Sequence, residues 1–122
     1  NVNMLLWQDE VWLIDHGAAL YFHHDWSDYL ERSRSPFAFI RQHVLLPRAR
    51  QVQEVDKQLR PLLTEQSLQR IVAAIPDHWL GNEAQFADPA AHRAAYVAYL
   101  TARLAAADNF VQEAVNGYAA LV

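Results

Sequence analysis

The sequence predicts a mainly α-helical domain that opens with a β-hairpin and continues as a helical subdomain ending in a long C-terminal helix. Three observations predict it. Two short apolar runs, Met4–Trp7 (MLLW) and Val11–Ile14 (VWLI), flank the polar stretch Gln8-Asp9-Glu10, the pattern of two strands joined by a turn. From Ser27 onward, apolar residues recur at three- and four-residue steps between proline stops, the helical period. Asp88-Pro89 then opens an alanine-rich run reaching Asn116-Gly117, which joins a strong N-terminal signal to high helix propensity.

Taken in order, both hairpin arms are apolar almost throughout, which predicts burial on both faces. Such a hairpin needs other structure to cover it. Ser35-Pro36 reads as a cap followed by proline at the first helical position, opening PFAFIRQHVLL, with Pro47 as its stop. In RARQVQEVDKQL, Val52, Val55 and Leu59 form an amphipathic stripe that ends near Pro61. Thr64 caps EQSLQRIVAAI, where Leu68, Ile71, Val72 and Ile75 share a face, and Pro76 closes it. A loop with Gly81 near its middle leads to the last helix, whose stripe runs through Tyr96, Leu100 and Leu104 toward Val111. The chain reads as a single domain over residues 1–122, with a hairpin segment, 1–26, and a helical part, 27–122.

Bulk properties exclude several classes. A chain of 122 residues supports one modest core, and 52% hydrophobic with 20% charged residues is ordinary globular composition. A formal net charge of −4 gives no field that would draw nucleic acid or anionic lipid. The absence of cysteine removes disulfides, thiolate metal sites and a cysteine nucleophile, and it suits a reducing, cytoplasmic setting. No apolar run approaches the roughly 20 residues that span a bilayer, so no membrane partner is expected.

Four groups of residues could carry chemistry. The first is Asn1 and Asn3 before the hairpin and Asp15 after it. A hairpin returns the chain to its origin, so it brings an amide oxygen and a carboxylate together, as hard cations such as Mg²⁺ require. The competing reading is an aspartate in a turn beside a loop asparagine, which spacing alone favours. Gly17, two residues on, fits a chain leaving such a site at unusual backbone angles. The second is His16, His23 and His24 with Asp25; adjacent histidines on a regular element point apart, so scattered surface histidines are expected rather than a zinc site. The third is Arg32, Arg34, Arg41, Arg48 and Arg50 with one acid, Glu31, among them; a solvated face with acidic partners elsewhere is weighed slightly above a phosphate or acidic-partner site. The fourth is Trp7, Trp12, Tyr21, Phe22, Trp26 and Tyr29, read as core packing of the hairpin against helices rather than a stacking platform. No Gly-rich phosphate loop or Gly-x-Ser-x-Gly elbow is present.

NVNMLLWQDEVWLIDHGAALYFHHDW, followed by PFAFIRQHVLLP and IPDHWL, resembles the C-terminal part of the HipA-like kinases. Members of that family read Asp-Arg-Thr, a short spacer, Asn-x-Asn-Leu-Leu, a hairpin and Ile-Asp-His-Gly-Ala-Ala-Leu-Tyr-Phe-His-His. The likeness is specific from Ile14 to His24 and looser through Leu80. It implies that Asp15 takes the place of the metal-binding aspartate of a kinase, that Asn1 or Asn3 is the metal-binding asparagine, and that Ile14 lies beside the nucleotide base. Kinases place that asparagine about five residues after the catalytic aspartate, a spacing that favours Asn1.

The resemblance further implies Mg²⁺ and ATP as cofactors of a longer parent protein. The catalytic aspartate and the ATP-binding lobe would precede Asn1, so a chain beginning there is expected to be truncated at the catalytic loop and inactive alone. Were Asn1 a true terminus, its protonated α-amino group would repel Mg²⁺. The expected partner is the missing N-terminal lobe. The rival expectation is a non-catalytic interaction module that self-associates through the aromatic-rich face left by Trp7 and Trp12.

Overall fold

The computed structural model describes residues 3–80 and 83–122. It is an N-terminal antiparallel hairpin, β1 (Met4–Trp7) and β2 (Glu10–Leu13), followed by helices: α1 (Tyr29–Arg32), α2 (Val52–Leu59), α3 (Glu65–Ala73), α4 (Pro89–Ala105) and α5 (Ala107–Ala119). Short 3₁₀ segments link them, at Gly17–His24, Ala38–Gln42, Leu46–Arg48, Arg60–Leu62 and Asp77–Trp79. The mainly helical class with a leading hairpin is therefore the observed one.

The hairpin pairs Met4 with Leu13 and Trp7 with Glu10, leaving Gln8-Asp9 as a two-residue turn. Both turn residues have positive φ, 51° and 62°, which is what a primed turn demands for strands of right-handed twist. Glu10 thus belongs to β2 rather than to the turn. Alternation puts Leu5, Trp7 and Trp12 on one face and Met4, Leu6, Val11 and Leu13 on the other. The expected burial of both faces is not met: every strand residue is exposed, with Trp7 at 59% and Trp12 at 52%. The strands pack chiefly on each other, and among the described residues no helix makes a comparably extensive contact with them.

Two caps follow their chemistry. The Thr64 side chain accepts the Ser67 amide at 3.1 Å, and the Asp88 carboxylate accepts the Ala91 amide at 2.7 Å. Each satisfies a donor that the first turn of a helix leaves without a partner. Replacing Asp88 by alanine should lower stability by about 1 kcal/mol, read as a lower urea midpoint at an unchanged slope.

Two expectations about the helices fail. The helix expected from Pro36 is instead two 3₁₀ turns, with Phe37 left-handed at φ 56°. Its residues follow the surface of α5, where Leu46 is buried and Arg41 meets Glu113 at 2.5 Å. The long C-terminal helix breaks at Ala106, φ −98° and ψ 16°, so that α5 presents Ala107, Ala114 and Gly117 as buried small residues. Gly117 does not end the helix. A Cβ there would stand 3.1 Å from Leu46 Cδ2 and 3.3 Å from Arg41 Cγ, so the missing side chain is what admits this close approach.

The core is aromatic. Phe22 and Trp26, from the segment after the hairpin, pack with Ala95, Tyr96 and Tyr99 of α4 and with Tyr29 and Phe86. Phe22 stacks on Tyr99 at 3.6 Å between ring centroids. The aromatic group of the first thirty residues therefore divides: Phe22, Trp26 and Tyr29 serve the core, whereas Trp7, Trp12 and Tyr21 stay exposed.

Candidate functional site

The open end of the hairpin is closed by two hydrogen bonds. The Ile14 amide donates to the Asn3 carbonyl at 3.0 Å, continuing the ladder past β2. The Asn3 side-chain amide, Nδ2, then donates to the Asp15 carbonyl at 2.6 Å. Asp15 lies at φ 53°, a left-handed conformation that aspartate tolerates better than most residues. The turn out of β2 is made here and not at Gly17, where an added Cβ would meet nothing within 4 Å.

Asn3 and Asp15 are thus adjacent, as the hairpin topology requires. With Nδ2 engaged, the Asn3 Oδ1 and the two Asp15 carboxylate oxygens are the side-chain acceptors these two residues have to offer. That is a hard-oxygen donor set of the type Mg²⁺ takes when substrate phosphates and water complete its shell. Ile14, about half exposed, is the apolar residue next to it. Asn1, the alternative asparagine ligand, lies outside the described residues. Among those, no group of three or more His, Cys, Asp or Glu side chains converges as a metal site.

The histidines behave differently from expectation. His23 and His24 do not point apart: their Nε2 atoms are 3.2 Å apart, one ring donating to the other. They stand on a 3₁₀ segment kinked at Leu20, so the divergence expected on a regular element does not apply. Asp25 is engaged separately. Its carboxylate accepts from the Ser27 hydroxyl at 2.7 Å, the Ser27 amide at 2.9 Å and Arg32 at 3.1 Å. The hydrogen bonds from Ser27, with help from Arg32, hold its pKa below the ordinary aspartate value.

The arginine group is only partly neutralised. Arg32 pairs with Asp25 and Arg41 with Glu113, whereas Arg34, Arg48 and Arg50 make no ion pair among the described residues. A groove of about 940 Å³ lined by Asp56, Lys57, Arg60, Asp108 and Glu113 shares no residue with the hairpin end. Arg60 bridges Asp56 and Asp108 there.

A feature that sequence reading missed is His92 on α4. It is only 4% exposed, stacked between Phe86 at 4.4 Å and Tyr96 at 5.1 Å, with the Trp26 ring edge-on at 5.0 Å. Asp88 four residues earlier and Tyr96 four residues later share its helix face, and that spacing is the one signal that placed it beside the aromatic stripe.

No protein-family model matches the chain, and neither a curated protein nor a solved structure does. No helix among the described residues is long and apolar enough to cross a membrane.

Proposed function

We propose that this chain is the C-terminal, mainly helical part of a HipA-like kinase, and that it supplies Asn3 and Asp15 to a Mg²⁺–ATP site completed by an N-terminal lobe. The observation that carries this reading is the closure of the hairpin's open end, where the Asn3 side-chain amide donates to the Asp15 carbonyl at 2.6 Å and so brings the two residues together. In phosphoryl transfer the metal bridges the phosphates and neutralises developing charge, and Asp15 would be its carboxylate ligand. Ile14 would border the base. Cytoplasmic placement belongs to the same proposal.

Two outcomes test it. In the protein joined to the coding sequence immediately upstream of Asn1, Asp15→Ala should weaken Mg²⁺–ATP binding at least about tenfold by calorimetry, a loss of about 1.4 kcal/mol. The 122-residue chain alone should transfer no labelled phosphate to any substrate. Binding unaffected by the substitution, or transfer by the isolated chain, would refute the assignment.

A specific observation favours a second reading. The hairpin exposes apolar side chains on both faces, Trp7 and Trp12 included, and such a surface captures partners or copies of itself. Nucleotide-independent dimers in sizing chromatography, dispersed by Trp12→Glu, would favour a non-catalytic interaction module.

A further inference from the structure

The segment between the hairpin and α1 reaches α4 through one aromatic cage. Phe22 and Trp26 insert beside Ala95, and the Trp26 ring meets Phe86, His92 and Tyr96 at 5.0, 5.0 and 4.8 Å. His92 is buried in this cage, and among the described residues neither its Nδ1 nor its Nε2 is hydrogen-bonded and Trp26 Nε1 is likewise unpartnered. A neutral imidazole in that position already leaves one donor and one acceptor unmet. An imidazolium would present two donors and a full charge to a cage in which no described group hydrogen-bonds it.

We propose that this cage is an acid-sensitive latch: protonation of His92 releases the segment Gly17–Trp26, and with it the Asp15 end of the hairpin, from α4.

The groups that face His92 are few. Glu83, in the loop before α4, favours the charged form; His23, on the 3₁₀ segment, opposes it. Tyr96 stacks on the imidazole at 5.1 Å, and its phenol does not hydrogen-bond it. Burial outweighs Glu83 and lowers the His92 pKa from the ordinary 6.5. The sign follows from proton linkage. Above pH 6.5 both latched and released states hold neutral His92, and the latch has its full strength. As pH falls below that value the released state takes up a proton that the latched state refuses. The loss continues until pH reaches the lowered value of the latched state.

Amide hydrogen exchange between pH 8 and pH 5, corrected for intrinsic rates and followed together with the His92 imidazole resonances, tests the latch. Protection of residues 17–26 should fall with acid by as much as about tenfold per pH unit within the window, while α3 and α5 keep theirs. His92→Phe, which retains an aromatic ring in the stack, should abolish the acid response, and His92→Gln serves if the phenylalanine variant fails to fold. An unchanged acid response in either variant would overturn the latch. So would a His92 that titrates at its ordinary value, or equal loss of protection in all helices at one pH. The readout is the same whether or not Asp15 binds metal.

Discussion

Replacing Trp26 by alanine should lower the unfolding free energy by about 3–5 kcal/mol, the usual cost of deleting a buried large aromatic ring. The ring is 4% exposed and lies at the meeting point of three parts of the fold: the segment after the hairpin, α1 through Tyr29, and α4 through His92 and Tyr96. Its edge-to-face contacts add to the area it buries. Removing it leaves a hole walled by rings that cannot all move inward, because Tyr96 and His92 are fixed to α4. Against a total of about 5–15 kcal/mol for a domain, this is a large share. Urea unfolding followed by far-ultraviolet circular dichroism measures it, and a loss below about 1 kcal/mol would show that the cage is not the main core.

The second large effect is expected at Leu46, which is 2% exposed. Leu46→Ala should cost about 2–5 kcal/mol. Its Cδ2 would stand 3.1 Å from a Cβ added at Gly117 on α5, so the leucine packs where that helix carries no side chain of its own. The same side chain fixes the 38–48 stretch on α5, so its truncation should also expose Arg41 and Glu113 to separation. A lowered urea midpoint with faster exchange of the Ala38–Gln42 amides would carry both parts of the expectation. A midpoint equal to that of the wild type would contradict it.

What was legible in the sequence was what depends on neighbours in the chain. The caps at Thr64 and Asp88 need only a side-chain oxygen three residues from an unpaired amide, and the hairpin needs two β-prone runs around a polar turn. What was not legible depends on contacts across the chain. Phe37 takes a left-handed conformation and its segment stays 3₁₀ because packing on α5 outweighs a weak local preference for helix. The alanine-rich C-terminal run has propensity everywhere and marks no boundary, so the break at Ala106 is set by the fit of Ala107, Ala114 and Gly117 to their neighbours. At the candidate site, the adjacency of Asn3 and Asp15 followed from topology alone. The left-handed turn at Asp15 did not, since Gly17 was the residue that composition pointed to. Nor did His92, a polar residue whose burial only the folded core reveals.

That the strands pack chiefly on each other has a thermodynamic consequence. A two-stranded ribbon is marginal by itself, and the spacing of Asn3 and Asp15 exists only while the ribbon is formed. On the proposed reading, a surface that covers Trp7 and Trp12 and an ion held between Asn3 and Asp15 both draw on the same ordered state, from opposite ends. Each would then raise the affinity of the other by the same factor, as reciprocal coupling requires. The strand pair would in that case act as the transmission element between partner docking and ion capture.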